Sequence, residues 1–215
     1  ESSESPLASL GNADVPVMVL GADVCRGNVG SISFDQEAGA SQATAHLLLA
    51  GEPNAVRFVG GHRGNLDSDA RLRAFTRTIL ERTGEEPGED QVFQGEFSFE
   101  WGSAWALEML GRGLLRGSAA LAGNDEIAVG IVDAARDHGL SLPDDLRVVG
   151  FDDSRLCQLL RPMLSSVRVP IEEAAERAIE AIVKRIEDQT RSPERTTLPT
   201  SLIVRDSSRL DAPAQ

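Results

Sequence analysis

Tyrosine is absent from this chain, and there are only two cysteines, three histidines and two tryptophans. A single lysine, Lys184, stands among the 21 basic residues. Cys25 and Cys157 are too few and too far apart for a disulfide scaffold, which points to two reduced structural thiols in a cytoplasmic protein. His46, His62 and His138 lack metal-ligand spacing and have no companion cysteine pair, so no metal is expected. No apolar run approaches the ~18–20 residues that a membrane span needs. The opening stretch ESSESPLASLGNAD lacks the basic-then-apolar order of a secretory signal. The Gly-Lys-Ser/Thr of a phosphate loop, the dinucleotide G-x-G-x-x-G and the nucleophile elbow G-x-S-x-G are all missing. Neither a cofactor nor a catalytic constellation is expected. With 34 acidic residues the net charge is −13, which argues against this chain coating DNA or an anionic membrane by itself.

What is present is an alternation. The chain has 215 residues, 41% of them hydrophobic, enough to bury a real core. Apolar runs predict strands at 15–20, 31–34, 55–59, 91–93, 118–122, 146–151, 165–169 and 201–205. Helical spacing predicts helices at 37–50, 68–82, 99–112, 125–138 and 171–188, with a short turn of helix before Pro162. In the 171–188 helix, Ile171, Ala175, Ala178, Ile179, Ile182 and Ile186 share one face. Strands alternating with helices, and runs such as RVVGF, make the class α/β, with parallel sheets covered on both faces.

In open parallel sheets the ligand crevice lies outside the carboxyl ends of the strands. There the sequence places Gly21-Ala22-Asp23, Gly60-Gly61-His62-Arg63, Gln94-Gly95-Glu96-Phe97, Gly123-Asn124-Asp125 and Asp152-Asp153. Each pairs a residue type that lets backbones approach with polar groups that fix a ligand, and Phe97 adds a flat apolar wall. Asn124 or Asp125 serves equally well as the cap of the helix that follows. Arg71, Arg73, Arg77 and Arg82 share one helix; most such arginines form a solvated face, but one near the helix start can reach the crevice. Asp152 and Asp153 are adjacent, so they diverge and make a poor acid/base pair. Trp101 and Trp105, at i and i+4, read as packing residues.

The stretch AGNDEIAVGIVDAARDHGLSLPDDLRVVGFDDS (122–154) resembles the signature region of the LacI/GalR family of bacterial transcription regulators. FVGG (58–61), RLRAF (71–75), GEFSFEWG (95–102), LRPMLSSVRVPIEEAAERAIEAI (160–182) and LPTSLIVRDSS (198–208) follow in family order. The resemblance implies a two-lobed, periplasmic-binding-protein-like effector domain with a ligand between the lobes. Residues 35–168 and 198–208 would form the C-terminal lobe, 1–34 and 169–197 a partial N-terminal lobe, and 209–215 a tail. Two short strands and one helix would leave that N-terminal lobe incomplete. The family's DNA-binding head and the start of its N-terminal lobe would precede residue 1.

The resemblance further implies a small polar effector, a sugar or related metabolite, held by Arg71, Asn124 and Asp152, with Phe97 stacking on it and Asp23 as a further contact. Many sugar-responsive members carry an aspartate where this chain has Gly21 and a glutamine where it has Val169. Implied partners are a second copy, through the C-terminal lobe, and DNA only through the absent head, with no membrane contact. The shared fold leaves a transporter's solute-binding protein as the alternative function. An α/β enzyme would rest on Asp152-Asp153 alone.

Overall fold

Side chains that alternate between two faces along each strand give this chain two separate apolar layers to cover, and the helices divide between them. The computed structural model describes residues 15–24, 27–49 and 51–210. Cys25, the last residue of the predicted 37–50 helix and the last residues of the 209–215 tail lie outside the described residues. Two compact units result. One takes in the described residues up to Asp35 together with Pro170–Thr200; the other takes in Gln36–Val169 and the described residues from Ser201 onward.

The larger unit is a six-stranded sheet. Its strands are β3 (Val56–Gly60), β4 (Val92–Gln94), β5 (Ser118–Ala122), β6 (Leu146–Asp152), β7 (Ser165–Arg168) and β9 (Ser201–Ile203), in the spatial order β4-β3-β5-β6-β7-β9. All neighbours run parallel except β9, which pairs antiparallel with β7 and so departs from the all-parallel expectation at one edge. The strand β5, SAALA, shows how both faces are filled. Ala119 and Leu121 belong to one apolar cluster, Ala120 and Ala122 to the other. The first cluster packs beneath α1 (Gln36–Leu48) and α2 (Leu66–Thr83), through Ala40, Ala43, Leu47, Ala74, Phe75 and Ile79. The second packs beneath α3 (Phe99–Gly111) and α4 (Asp125–Asp137), through Trp105, Met109, Ile127 and Ile131. As expected, Trp105 is a core residue, fully buried.

Glycine spacing brings α3 and α4 together. A Cβ on Gly102 would lie 2.1 Å from the Ile127 carbonyl oxygen, and one on Gly130 would lie 2.1 Å from that of Phe99. Each glycine therefore receives the other helix's backbone. On the carboxyl side of the sheet, the short α5 (Leu156–Leu159) and β7 are tied to α4 by Asp125. Its buried carboxylate accepts from the Ser166 hydroxyl at 2.6 Å, the Ser154 amide at 2.7 Å and the Cys157 thiol. Burial raises the Asp125 pKa, and these donors oppose that shift. Cys157 is buried and free, its thiol pushed up to about 12 by burial and by Asp125.

The smaller unit has three strands rather than two. β1 (Val17–Leu20), β2 (Val29–Phe34) and β8 (Arg195–Leu198) pair in parallel in that order, with α6 (Ile171–Glu187) packed on β1 and β2. β8 reads RTTL and has no apolar alternation to announce it; its partner β2 defines it. The small core is Ile32, Ala174, Ala178 and Leu198. This corrects the reading of α6. The buried stripe is Ala174, Ala178, Ala181 and Arg185, whereas Ile171, Ile179, Val183 and Ile186 are exposed, Ile179 by 64%. Small residues let the helix sit close to the sheet, and Arg185 closes the end by donating from Nη1 to the Asn28 carbonyl at 2.9 Å.

Two substitutions separate these roles. Gly130→Ala should destabilise by about 2 kcal/mol or more in urea denaturation, because backbone rather than a flexible side chain fills the space. Ile179→Glu, on the exposed face, should change stability by no more than about 0.5 kcal/mol.

Candidate functional site

The strand order reverses between β3 and β5. From β3 the chain moves outward to β4, then returns to start β5 on the other side. Ligands of open parallel sheets bind outside the carboxyl ends of strands at such a reversal. At this point Gly60, Gly61 and Gly123 bring the two strand ends into backbone contact. A Cβ on Gly123 would lie 3.0 Å from both the Gly60 Cα and the Gly61 nitrogen. The Gly123 amide donates to the Val59 carbonyl at 2.8 Å, and the Gly95 amide to the Gly60 carbonyl at 3.1 Å.

Arg71 rises from α2 into this junction. It belongs to a buried stripe that runs from Ser68 through Ala74, Phe75, Thr78 and Ile79, and it is itself only 5% exposed. Its Nε donates to Gln36 Oε1 at 3.0 Å, and its Nη1 donates to the Gly123 carbonyl. The guanidinium lies over the Phe151 ring, 3.8 Å from its centroid. Its Nη2 stands 3.9 Å from Asp152 Oδ1. Burial pulls the Arg71 pKa down, and the charges of Asp152, Asp67 and Asp125 oppose that shift.

Asp152 ends β6 in a strained backbone, with φ at 112°, and Asp153 follows with φ at 53°. The two carboxylates diverge, as their adjacency requires. Asp153 turns inward, where Arg168 Nε and Arg205 Nη2 each lie 2.7 Å from it. Asp152 keeps 48% of its side chain exposed. Its carboxyl is pushed up to about 6, mainly by desolvation against the protein, with Asp125, Asp67 and Glu126 adding to the rise and Arg71 opposing it.

Asn124 caps α4, its Oδ1 accepting from the Ile127 amide at 2.9 Å, so the capping alternative holds for this residue. Its Nδ2 has no hydrogen-bond partner among the described residues. Phe97 is half-buried, and its ring fills the space where Gly61 has no side chain. His62 meets that ring edge-on at 5.8 Å. Trp101 closes the neighbouring wall, donating from Nε1 to the Gly60 carbonyl at 3.1 Å.

Arg71, Phe97, Asn124 and Asp152 thus all belong to the carboxyl end of the larger sheet. Asp23 lies in the smaller unit, where Arg195 clasps its carboxylate from Nε and Nη2. Gly21 adopts φ of 82°, the left-handed region that favours glycine. Val169 packs into the apolar cluster beneath α1 and α2. Sequence reasoning missed Gln36 and Phe151, the two side chains that seat Arg71. No group of three or more potential metal ligands forms among the described residues, and no described helix is long and apolar enough to cross a membrane.

Residues 28–208 match the family of periplasmic binding protein-like domains. The chain belongs to this family, in the form that LacI-family regulators use as their effector-binding domain. Catabolite control protein A of Priestia megaterium is 26% identical over 207 residues, 96% of this chain and 62% of its own length. The structure of the transcriptional regulator CelR–cellobiose complex matches 93% of this chain and 68% of its own, at 26% identity and a TM-score of 0.76. A LacI family transcriptional regulator from Enterococcus faecium with bound ribose matches 93% and 72%, at 25% identity and a TM-score of 0.78. These relatives are transcription regulators, not enzymes. The chain spans about 60% of the length of the curated relatives it matches.

The Asp152 environment makes a testable demand on stability. In the unfolded chain its pKa returns to about 4. Folding therefore favours the protonated form, and that advantage is full below pH 4 and lost as pH rises through about 6. Asp152→Asn, which tolerates the same backbone, should raise the melting temperature at pH 7.5 by about 2 °C, allowing for its exposure to solvent. The gain should shrink between pH 6 and pH 4 in a scanning-calorimetry series.

Proposed function

We propose that this chain is the effector-sensing portion of a LacI-type transcription regulator, and that a small polyhydroxyl metabolite of sugar type binds against the carboxyl ends of β3, β5 and β6. The observation that carries this reading is the buried, fully seated Arg71 guanidinium beside a half-exposed Asp152 carboxylate 3.9 Å away. A sugar hydroxyl inserted there can donate to Asp152 while accepting from a cation that needs no reorganisation. The free Nδ2 of Asn124 offers a donor, and Phe97 offers an apolar face for a pyranose ring. Asp23, paired with Arg195 in the smaller unit, keeps 47% of its side chain exposed and offers a further acceptor. Relatives solved with cellobiose and with ribose support the ligand class.

In the whole regulator, ligand binding would shift the protein between arrangements of different operator affinity. The protein would act in the cytoplasm, pair with a second copy through the larger unit, and contact DNA through sequence outside this chain. The net charge of −13 supports that last assignment.

Isothermal titration with a panel of mono- and disaccharides tests the reading. Asp152→Ala should weaken the identified sugar at least tenfold, since a buried donor on the ligand is left unpaired. The affinity should also fall as pH drops through about 6, where Asp152 takes up a proton. Unchanged affinity in Asp152→Ala, or binding that strengthens at low pH, would overturn the assignment.

A further inference from the structure

The amino ends of the same strands hold a second polar hollow. A groove of about 670 Å³ opens there, at the opposite end of the sheet from Gly60 and Gly123, lined by Asn54, Arg57, Asp90, Gly113, Arg116 and others. Arg57 is the second residue of β3, a strand whose residues are all buried, and it is only 5% exposed itself. A cation in the middle of an apolar strand is out of place unless something neutralises it.

The neighbouring arginines are neutralised. Arg112 Nη2 lies 2.5 Å from Asp90 and its Nη1 lies 3.6 Å from Glu108, while Arg116 pairs with Asp145. Arg57 differs. Its Nη1 donates to the Ala55 carbonyl at 2.9 Å, but no carboxylate among the described residues comes within ion-pair distance, and its Nε is buried without an acceptor. Burial pulls its pKa down; Asp90 opposes the shift from a distance, and Arg112 adds to it. Asp90 is itself committed to Arg112.

We propose that this groove is a second ligand site, which takes a small oxyanion, a phosphoryl or carboxylate group, on the Arg57 guanidinium with Arg116 at the rim. The oxyanion supplies the missing countercharge at the groove side of the guanidinium. Arg116, with 63% of its side chain exposed, is free to turn from Asp145 toward the anion. The Glu89 and Asp90 carboxylates at the rim oppose anions, so the site favours a single oxyanion over a polyanion. This assignment is independent of the sugar site, which lies at the other end of the strands.

Thermal shift and amide chemical-shift titrations with phosphate and, separately, acetate test it, at constant ionic strength set by chloride. The expected result is a rise of at least about 2 °C at saturation, with shifted Gly113 and Gly117 amides. A response to phosphate alone assigns a phosphoryl group, and one to acetate alone a carboxylate. Arg57→Met should abolish both effects and, in chloride, melt no lower than the parent, because it removes an unpaired buried charge. Arg116→Gln, at an exposed position, should fold normally and weaken the anion several-fold. The proposal fails if neither anion acts beyond chloride, if the response survives Arg57→Met, if Arg116→Gln binds with undiminished affinity, or if the shifted amides are Gly61 and Gly123.

Discussion

The Arg71 guanidinium joins elements that the chain order keeps apart. It touches Gln36 at the start of α1, the Gly123 carbonyl after β5, the Phe151 ring in β6 and, more distantly, Asp152. A charge this buried is tolerated because hydrogen bonds and an aromatic face replace its hydration. Losing one of these hydrogen bonds to a charged group costs about 1.5–3 kcal/mol. The same constraint explains why Asp152 is left half-exposed. Neutral acceptors hold Nε and Nη1 of Arg71, and only Nη2 faces the aspartate, at 3.9 Å. Asp152 thereby retains a carboxylate with an elevated pKa and an open side.

Backbone proximity is the second condition. At the junction of β3 and β5, Gly123 leaves room for the Gly60–Gly61 backbone, Gly61 for the Phe97 ring and Gly60 for the Phe58 ring. Gly150 has the same role in the neighbouring strand β6, where a Cβ would lie 2.3 Å from Asp125 Oδ1. Asp125 in turn holds the amide of Ser154 and the hydroxyl of Ser166, which fixes the turn that carries Asp152 and Asp153. The strained φ of 112° at Asp152 is held by this surrounding network.

Most of the larger unit was legible because its strands are continuous apolar runs and its helices carry caps, such as Asn65 and Gly84 around α2. The carboxyl-end cluster was legible for the same reason: strand ends can be read from those runs. What escaped were features defined by partners. RTTL becomes a strand only beside β2, and β9 turns antiparallel only because the chain re-enters the sheet at its edge. On α6 the isoleucines looked like the buried face, yet alanine fits the close approach to a three-stranded sheet and isoleucine does not. Arg71 was distinguishable from Arg73 and Arg77 by its place in the 71-74-75-78-79 stripe, a periodic signal sharper than its nearness to the helix start. Arg57 carried a comparable signal, a charge inside a buried run, but no motif drew attention to it.

The scarcity of lysine acquires a physical meaning here. Planar guanidinium groups serve wherever this fold needs a buried or bidentate cation: Arg71 at the strand ends, Arg185 at the end of α6, and Arg168 and Arg205 around Asp153. The central claim is that Arg71 is fixed before any ligand arrives. Nitrogen-15 NMR of the arginine side chains tests this most directly. The account predicts that the Arg71 Nε–H of the free protein exchanges with water far more slowly than that of exposed Arg73. Equal exchange rates for the two would contradict it.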